Sequence, residues 1–422
     1  MARRRVAVVG GGVAGLTAAH VLGQACDVVL FEADDRLGGH AHTHELAQEG
    51  WTVCVDSGFI VHNERTYPYL LRLFAELGVT TQDAEMSMSV RCEGCGLEYA
   101  GARGPSGLFP GRAALRGRYL QMLAQVPRFH RAARRLLAAA DQADAGSGPT
   151  LGAFLADGGF SAYFVSHFAV PLVSAVWSCP PETAMRYPAR YLFRFLAHHG
   201  LLSVAGSPQW KTVTGGSAQY VQRIAKRLSS VRAGTPVRTV ERFADRARVV
   251  TEDGESEEFA AVVVAVHPDQ ALRLLAEPTA LERRVLGAFR YSRNPTVLHT
   301  DTAVLPRSAR ARASWNYLLP SCTSPADAVH VSYDMSRLQQ LRADETFVVT
   351  LNAAGRVPED RVLARMVYEH PVYTPESLAA QQELHRLNTQ VCAFAGAYHG
   401  WGFHEDGCRS GAQAAAALGV RW

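Results

Sequence analysis

At 422 residues the chain exceeds the usual size of one domain, so two interleaved or consecutive domains are expected. Hydrophobic residues make up 48% and charged residues 19%, which excludes a disordered or fibrous chain. The formal net charge of +4 gives no reason to expect a nucleic-acid partner, and none is predicted.

The N-terminal Arg3, Arg4 and Arg5 precede an apolar stretch, as in a secretory signal, but Gly10, Gly11, Gly12 and Gly15 interrupt it. Val6 to Val9 reads as a strand, Val13 to Leu22 as a small-residue helix and Val28 to Phe31 as a second buried strand ending at Glu32. Strand, glycine turn, helix and strand form the opening βαβ unit of a doubly wound sheet. Thr66 to Leu77 is helical, and Met86 to Tyr99 alternates as a hairpin does. Arg112 to Ala140 is a helical tract with seven arginines and no acid, Asp141 to Pro149 an exposed loop, and Leu151 to Leu202 a mostly helical, aromatic-rich region.

A helix follows at Ser217 to Leu228, then strands around Val237, at Ala247 to Thr251 and at Phe259 to Val266. The continuously apolar run Ala261 to Val266 belongs in a sheet covered on both faces. Val391 to Ala395 is a last strand, followed by a glycine turn and a helix from Gly411 to Leu418. Residues 1–65, 208–270 and 385–422 are thus assigned to a discontinuous nucleotide-binding domain, and 66–207 and 271–384 to a substrate domain. The longest other apolar run, Phe164 to Trp177, is too short to span a bilayer and contains His167 and Pro171, so no transmembrane segment is predicted.

The eight cysteines are scattered, which suits reduced thiols in a cytoplasmic protein. Cys92 and Cys95 are the one C-x-x-C pair. Without a second pair at zinc-site spacing they read as a hairpin turn, and no metal site is assigned.

Chemistry concentrates at both ends of the chain. Gly10, Gly12 and Gly15 form G-x-G-x-x-G between strand and helix, with Val13 and Ala14 opening the helix. These glycines let backbone N–H groups approach a pyrophosphate, while Glu32 suits ribose hydroxyls and argues against a 2′-phosphate. The motif alone does not separate NAD from FAD. Its continuation, Glu32-Ala33-Asp-Asp-Arg36-Leu-Gly38-Gly39-His40, resembles the extension found in FAD proteins of the flavin-containing amine oxidoreductase superfamily. Phe394-Ala-Gly396-Ala397 and Asp406-Gly407 resemble the closing flavin-contacting strand and helix of the same superfamily.

The resemblance implies an α/β fold: a Rossmann-type FAD-binding domain with an interleaved α+β substrate domain, amine-oxidase-like. It implies one non-covalent FAD, with Gly407 opening a helix toward the diphosphate and Val237 giving a backbone contact to adenine. Asp56 to Pro68, Ala175 to Pro181, Pro208 to Gly216, Ala313 to Tyr317 and Gly402 to Gly407 are similar to a bacterial branch of predicted FAD-binding oxidoreductases. That branch is associated with cyclopropane-fatty-acid synthase-like methyltransferases, which suggests lipid chemistry and a methyltransferase partner.

Three departures are evident. Amine oxidases place a Lys near the flavin, on the strand matching Asn294 to Thr300, where there is none. Enzymes that attach FAD covalently carry a Cys before the final strand, and Arg361 to Gln390 has none. The aromatic cage of the amine oxidases is reduced to Phe403 or His404 near one position.

The resulting expectation is an FAD-dependent oxidoreductase or desaturase taking hydride from a small, apolar, fatty-acyl-like substrate. An amine oxidase, a redox-neutral lipid isomerase and a non-catalytic FAD-stabilised methyltransferase partner are the alternatives. His40, His42, His44, His399, His404 and Glu405 would lie near the flavin, His404 and Glu405 being the acid/base candidates. Most of these suit hydrogen bonding to FAD equally well. Arg128, Arg131 and Arg135 share a helical face that could dock peripherally on anionic lipid, although a solvated basic surface fits the same pattern.

Overall fold

Arg4–Val9, the first apolar run, is the central strand of a five-stranded parallel sheet. This computed structural model describes residues 3–139, 148–202, 207–322, 328–353 and 355–422. Across the sheet the order is Ser230–Arg232, Cys26–Phe31, Arg4–Val9, Ala261–Val264, Cys392–Phe394, every neighbouring pair parallel. Alternation along the central strand decides what each face packs on. Val6 and Val8 join the helices Val13–Leu22 and His404–Ala417, while Ala7 and Val9 join Val240, Val249 and Phe259 of an antiparallel three-stranded sheet. Both faces are covered, which is why Ala261–Val264 carries no polar residue.

The two helices on the first face approach closely because glycine permits it. A Cβ on Gly411 would stand 2.2 Å from the Ala14 carbonyl oxygen, and one on Gly15 would stand 1.9 Å from that of Gly10.

A seven-stranded mixed sheet lies beside this unit. Its order is Val362–Val372, Arg290–His299, Val348–Leu351, Val331–Asp334, Trp315–Leu319, Met88–Cys92, Glu98–Ala100. Helices between Gly117 and His198 pack on it in one core that includes Val90, Tyr119, Phe129, Phe164, Trp177, Phe193, Tyr317 and Val349. Asp56 ties the parts together: its carboxylate accepts from Thr43 Oγ1 at 2.6 Å, Ser217 N at 3.0 Å and Gln339 Nε2 at 3.1 Å.

The hairpin expected over Met86 to Tyr99 is present, with Cys92 and Cys95 at its turn. The loop expected over Asp141 to Pro149 lies largely outside the described residues. One element comes without a prior expectation and one expectation changes. Thr43–Gln48 and Trp51–Asp56 form a hairpin that lacks a tight-turn signal beyond Gly50. The last helix begins at His404 rather than Gly411, because the Asp406 carboxylate accepts the Phe403 N–H at 3.1 Å and caps it. Among the described residues no helix is long and apolar enough to cross a membrane.

Candidate active site

The glycine turn after the first strand shapes one end of a cavity of about 1360 Å³. That is more than one small-molecule pocket needs, typically about 300–1,000 Å³. Gly10 turns the chain at φ +105° directly under Val266, and Gly12 stands at the N-terminus of the helix Val13–Leu22. No side chain caps that helix, and a Cβ on Gly12 would meet nothing within 4 Å. Free helix-terminal N–H groups facing open space form a site for an anion such as a diphosphate.

Glu32 closes the turn. Its Oε2 accepts from Gly11 N at 2.6 Å and its Oε1 from Asp34 N at 3.0 Å, which fixes the carboxylate on the cavity wall. Ala33, Arg36, Gly39, His40, Val13, Ala14, Val237 and Gly396 line the same cavity. Arg36 is held by Gly39 O at 2.8 Å. Gly15 and Gly38 stand behind the wall and serve packing: Gly38 has φ +112° and its Cβ would lie 2.4 Å from the Ala41 carbonyl oxygen. Gly407 lies in the first turn of the last helix instead of opening it, against Val13, whose Cγ1 would be 2.6 Å from an added Cβ. Asp406 is 2% exposed and is spent on capping and on Arg409 at 2.8 Å. Neither residue lines the cavity, so their expected cofactor contacts become support of the helix behind it.

The two acid/base candidates separate. Glu405 accepts Tyr69 N at 3.1 Å and Leu70 N at 3.0 Å, capping the helix Pro68–Leu77. Burial pushes its carboxyl up to about 7, but it does not line the cavity and both oxygens are occupied by backbone. Its expected catalytic role is therefore replaced by a structural one. His404 does line the cavity, stacked on Phe59 at 3.8 Å with Nε2 3.1 Å from Tyr220 Oη. Burial, reinforced by His62, pushes its pKa down to about 3, so it stays neutral near pH 7 and is a weak base.

A polar group that the sequence did not single out stands beside His40. Tyr368 and His370, from the strand Val362–Val372, approach the His40 ring at 4.9 and 5.4 Å. Ser57 Oγ lies 2.7 Å from Tyr368 Oη, His42 Nδ1 lies 3.2 Å from the same oxygen, and His44 Nε2 lies 2.9 Å from Ser57 Oγ. His370 Nδ1 meets Asn294 Nδ2 at 3.0 Å. Burial holds His40 well below its ordinary pKa and brings His370 to about 4, so these imidazoles are neutral hydrogen-bonding groups. His399, half-buried like His40 and His370, is pushed to about 3 by desolvation and does not line the cavity. No local signal marked the strand, because its exposed and half-buried positions alternate as in an ordinary sheet edge.

Beyond this group the wall is mostly apolar, with His130, His199, Ser87 and Ser178 as polar positions. Met88, Val90, Leu123, Phe168, Leu172 and Val176 line it, with Trp177, Phe195, Trp210 and Trp315 among the aromatics. Phe403 stacks on Phe195 at 4.7 Å. The carboxylates on the cavity wall are Glu32, Asp34 and Glu369, and Glu369 is paired with His267 at 3.2 Å. The chain's two lysines, Lys211 and Lys226, lie elsewhere, and no cysteine lines the cavity among the described residues.

A parallel Rossmann-type sheet with this turn, joined to a second sheet over a shared cavity, defines an FAD-binding flavoprotein. A family model described as flavin-containing amine oxidoreductase matches residues 13–302, more than half of the chain, and the protein belongs to that family. A Mycobacterium tuberculosis protein described as a flavin-containing monoamine oxidase is 29% identical over 65% of this chain. An L-amino-acid oxidase of Demansia vestigiata is 53% identical over 12% of it. The chain spans 59% and 10% of the length of these two curated relatives.

Among solved structures, wild-type putrescine oxidase bound to putrescine has a TM-score of 0.70 at 17% identity, covering 99% of each chain. A CLA-producing fatty acid isomerase from P. acnes has a TM-score of 0.71 at 16% identity, also covering 99% of each chain. These likenesses establish the fold. FAD is the cofactor of the family, and the uncapped helix, the open space at Gly12 and the fixed Glu32 fit it.

Proposed function

We propose that the protein is an FAD-dependent oxidoreductase or desaturase that removes hydride from a largely apolar, fatty-acyl-like substrate. The observation that carries this reading is the mostly apolar and aromatic wall around Met88, Val90, Leu123, Phe168, Leu172 and Val176; among the described residues the cavity has no lysine, and its carboxylates are Glu32 and Asp34 at the glycine turn and Glu369, paired with His267. An ammonium substrate would find no counter-charge there, whereas each buried CH₂ of an acyl chain gains about 0.8 kcal/mol. Segments 1–65, 208–270 and 385–422 make up the proposed cofactor domain, and 66–207 and 271–384 the substrate domain.

In this assignment the amides at Gly12 to Ala14 and the Arg36 guanidinium hold the diphosphate, Glu32 the ribose and the Val237 backbone the adenine. Bound FAD supplies a two-electron hydride acceptor. His40, His370, Tyr368 and Ser57 present a neutral hydrogen-bonding face that orients a carbonyl or a water without adding charge. Trp177, Phe195 and Phe403 exclude solvent from the apolar end.

Access fits a lipid source. Leu108, Leu123, Val126 and Pro127 line the cavity, and next to them in the chain Phe109, Leu115 and Leu120 are exposed at 40, 65 and 46%. Arg128, Arg131 and Arg135, the expected basic face, are exposed on the same helix, Gly117–Ala138. Exposed apolar residues and exposed arginines on and just before one helix suit an interfacial helix at an anionic lipid surface.

The test is anaerobic reduction of the bound flavin by fatty acids, acyl thioesters and amines, with products identified by mass spectrometry. Reduction by acyl compounds, with a new double bond in the product, is the expected result. Reduction by amines alone would overturn the proposal, and double-bond migration without net reduction would replace it with a redox-neutral isomerase.

A further inference from the structure

The C-x-x-C pair acquires two partners that no spacing in the sequence announces. Cys92, Cys95, His167 and Cys322 bring one ligand atom each to within 4.8 Å of one another. Cys92 Sγ lies 3.5 Å from Cys322 Sγ, and His167 Nε2 lies 3.6 Å from both Cys95 Sγ and Cys322 Sγ. A tetrahedral zinc ion with Zn–S near ~2.3 Å and Zn–N near ~2.0–2.1 Å sets its ligand atoms roughly 3.5–3.8 Å apart. The three measured edges fall at that spacing.

The surroundings orient the ligands as a metal requires. His167 Nδ1 lies 2.7 Å from Ser166 Oγ and 3.2 Å from the Tyr163 carbonyl oxygen, two groups that can both accept its proton, and the tautomer protonated at Nδ1 turns the Nε2 lone pair toward the sulfurs. His167 sits on a π-helical turn, Val165–Ala169, and is fully buried. Such a one-residue insertion in a helix often marks a functional site.

Cys92 and Cys95 occupy a tight knuckle in which Gly96 N donates to Cys92 O at 2.9 Å with Gly96 at φ +71°. A Cβ on Gly94 would stand 3.0 Å from Cys322 N, so glycine there lets the chain after Trp315–Leu319 reach the knuckle. Three thiolates and Zn²⁺ leave one net negative charge. Arg116 donates to Cys95 O at 2.7 Å, and the Arg118 guanidinium lies 5.0 Å from the centre of the Tyr163 ring, so cations stand nearby to offset it.

We propose that Cys92, Cys95, His167 and Cys322 form a structural zinc site. Soft thiolates with one imidazole in tetrahedral array select zinc over hard cations, and four protein ligands leave no open position for catalysis. The ion joins three elements of the substrate cavity: the hairpin that supplies Val90 and Tyr99, the helix that supplies Phe168 and Leu172, and the strand that supplies Trp315. Its work is to hold that wall rigid, independently of any flavin chemistry.

The test is metal content of the FAD-loaded full chain, purified with reductant and without chelator. One zinc per chain is expected in the wild type and in Cys54→Ser, a cysteine outside the cluster. Cys95→Ser and Cys322→Ser should retain less than a tenth of that while keeping the flavin absorbance. Because those variants could misfold, the wild-type protein is also stripped of zinc and titrated with Co²⁺, which should give the intense visible bands of tetrahedral cobalt thiolate at one equivalent. A wild-type chain that holds no zinc and takes up no cobalt overturns the site. So does a Cys92–Cys322 disulfide found by non-reducing peptide mapping in metal-free protein as isolated.

Discussion

Replacing Glu405 tests whether its carboxylate holds the fold or moves a proton. The Ala variant withdraws both acceptors from Tyr69 N and Leu70 N, bonded at 3.1 and 3.0 Å, at a position only 7% exposed. A hydrogen bond contributes about 0.5–1.5 kcal/mol, and about 1.5–3 kcal/mol when one partner is charged; with its pKa near 7 the carboxyl is only partly ionised at neutral pH, and two bonds to one carboxyl are not additive, so Glu405→Ala should lose about 1–3 kcal/mol. Glu405→Gln keeps the shape but offers one acceptor oxygen and should lose about 1–2 kcal/mol. Urea unfolding of FAD-loaded protein followed by tryptophan fluorescence measures the loss, and anaerobic flavin reduction per bound FAD measures the chemistry. The structure requires the first to change and the second to stay within about twofold of wild type. Wild-type stability in Glu405→Gln together with a reduction rate lowered 10²-fold, the scale of general acid–base catalysis, would refute the capping role and return the residue to proton transfer.

Two glycines of one motif should fail differently. Gly12→Ala has room for its methyl and should fold while losing most FAD, whereas Gly15→Ala, 1.9 Å from a carbonyl oxygen, should unfold well below the wild-type melting temperature. Calorimetry and released-flavin assays separate the two. Ala175→Phe fills the apolar end of the cavity and should abolish reduction by acyl substrates with FAD occupancy unchanged; an unaltered substrate profile would place the substrate elsewhere.

Acid should destabilise the protein. Burial pushes His42, His399 and His404 to about 3, and His62, His199, His299 and His370 to about 4. The unfolded chain, with His near 6.5, therefore binds more protons, so stability is full above pH 6.5 and falls toward pH 4. The slope is about 1.4 kcal/mol per pH unit for each proton of difference. Asp56 and Glu405, raised to about 6 and 7, act in the opposite sense but are outnumbered. A melting temperature flat between pH 7 and 5 would contradict this.

The sequence by itself determined the cofactor half of this protein. A glycine turn, a ribose-binding acid and continuously apolar strands are local signals, because backbone conformation and two-sided burial are specified within a few residues. Gly12, Glu32, Arg36 and His40 therefore stand on the cavity wall where the motif implied. Tertiary structure decided which neighbouring residues face that cavity. His404 and Glu405 are adjacent in sequence, yet successive helical residues point about 100° apart, so one reaches the cavity and the other a distant helix N-terminus. Tyr368 and His370, and the grouping of His167 and Cys322 with Cys92 and Cys95, depend on strand order and on a π turn. Those contacts join residues far apart in the chain, and no local pattern encodes them.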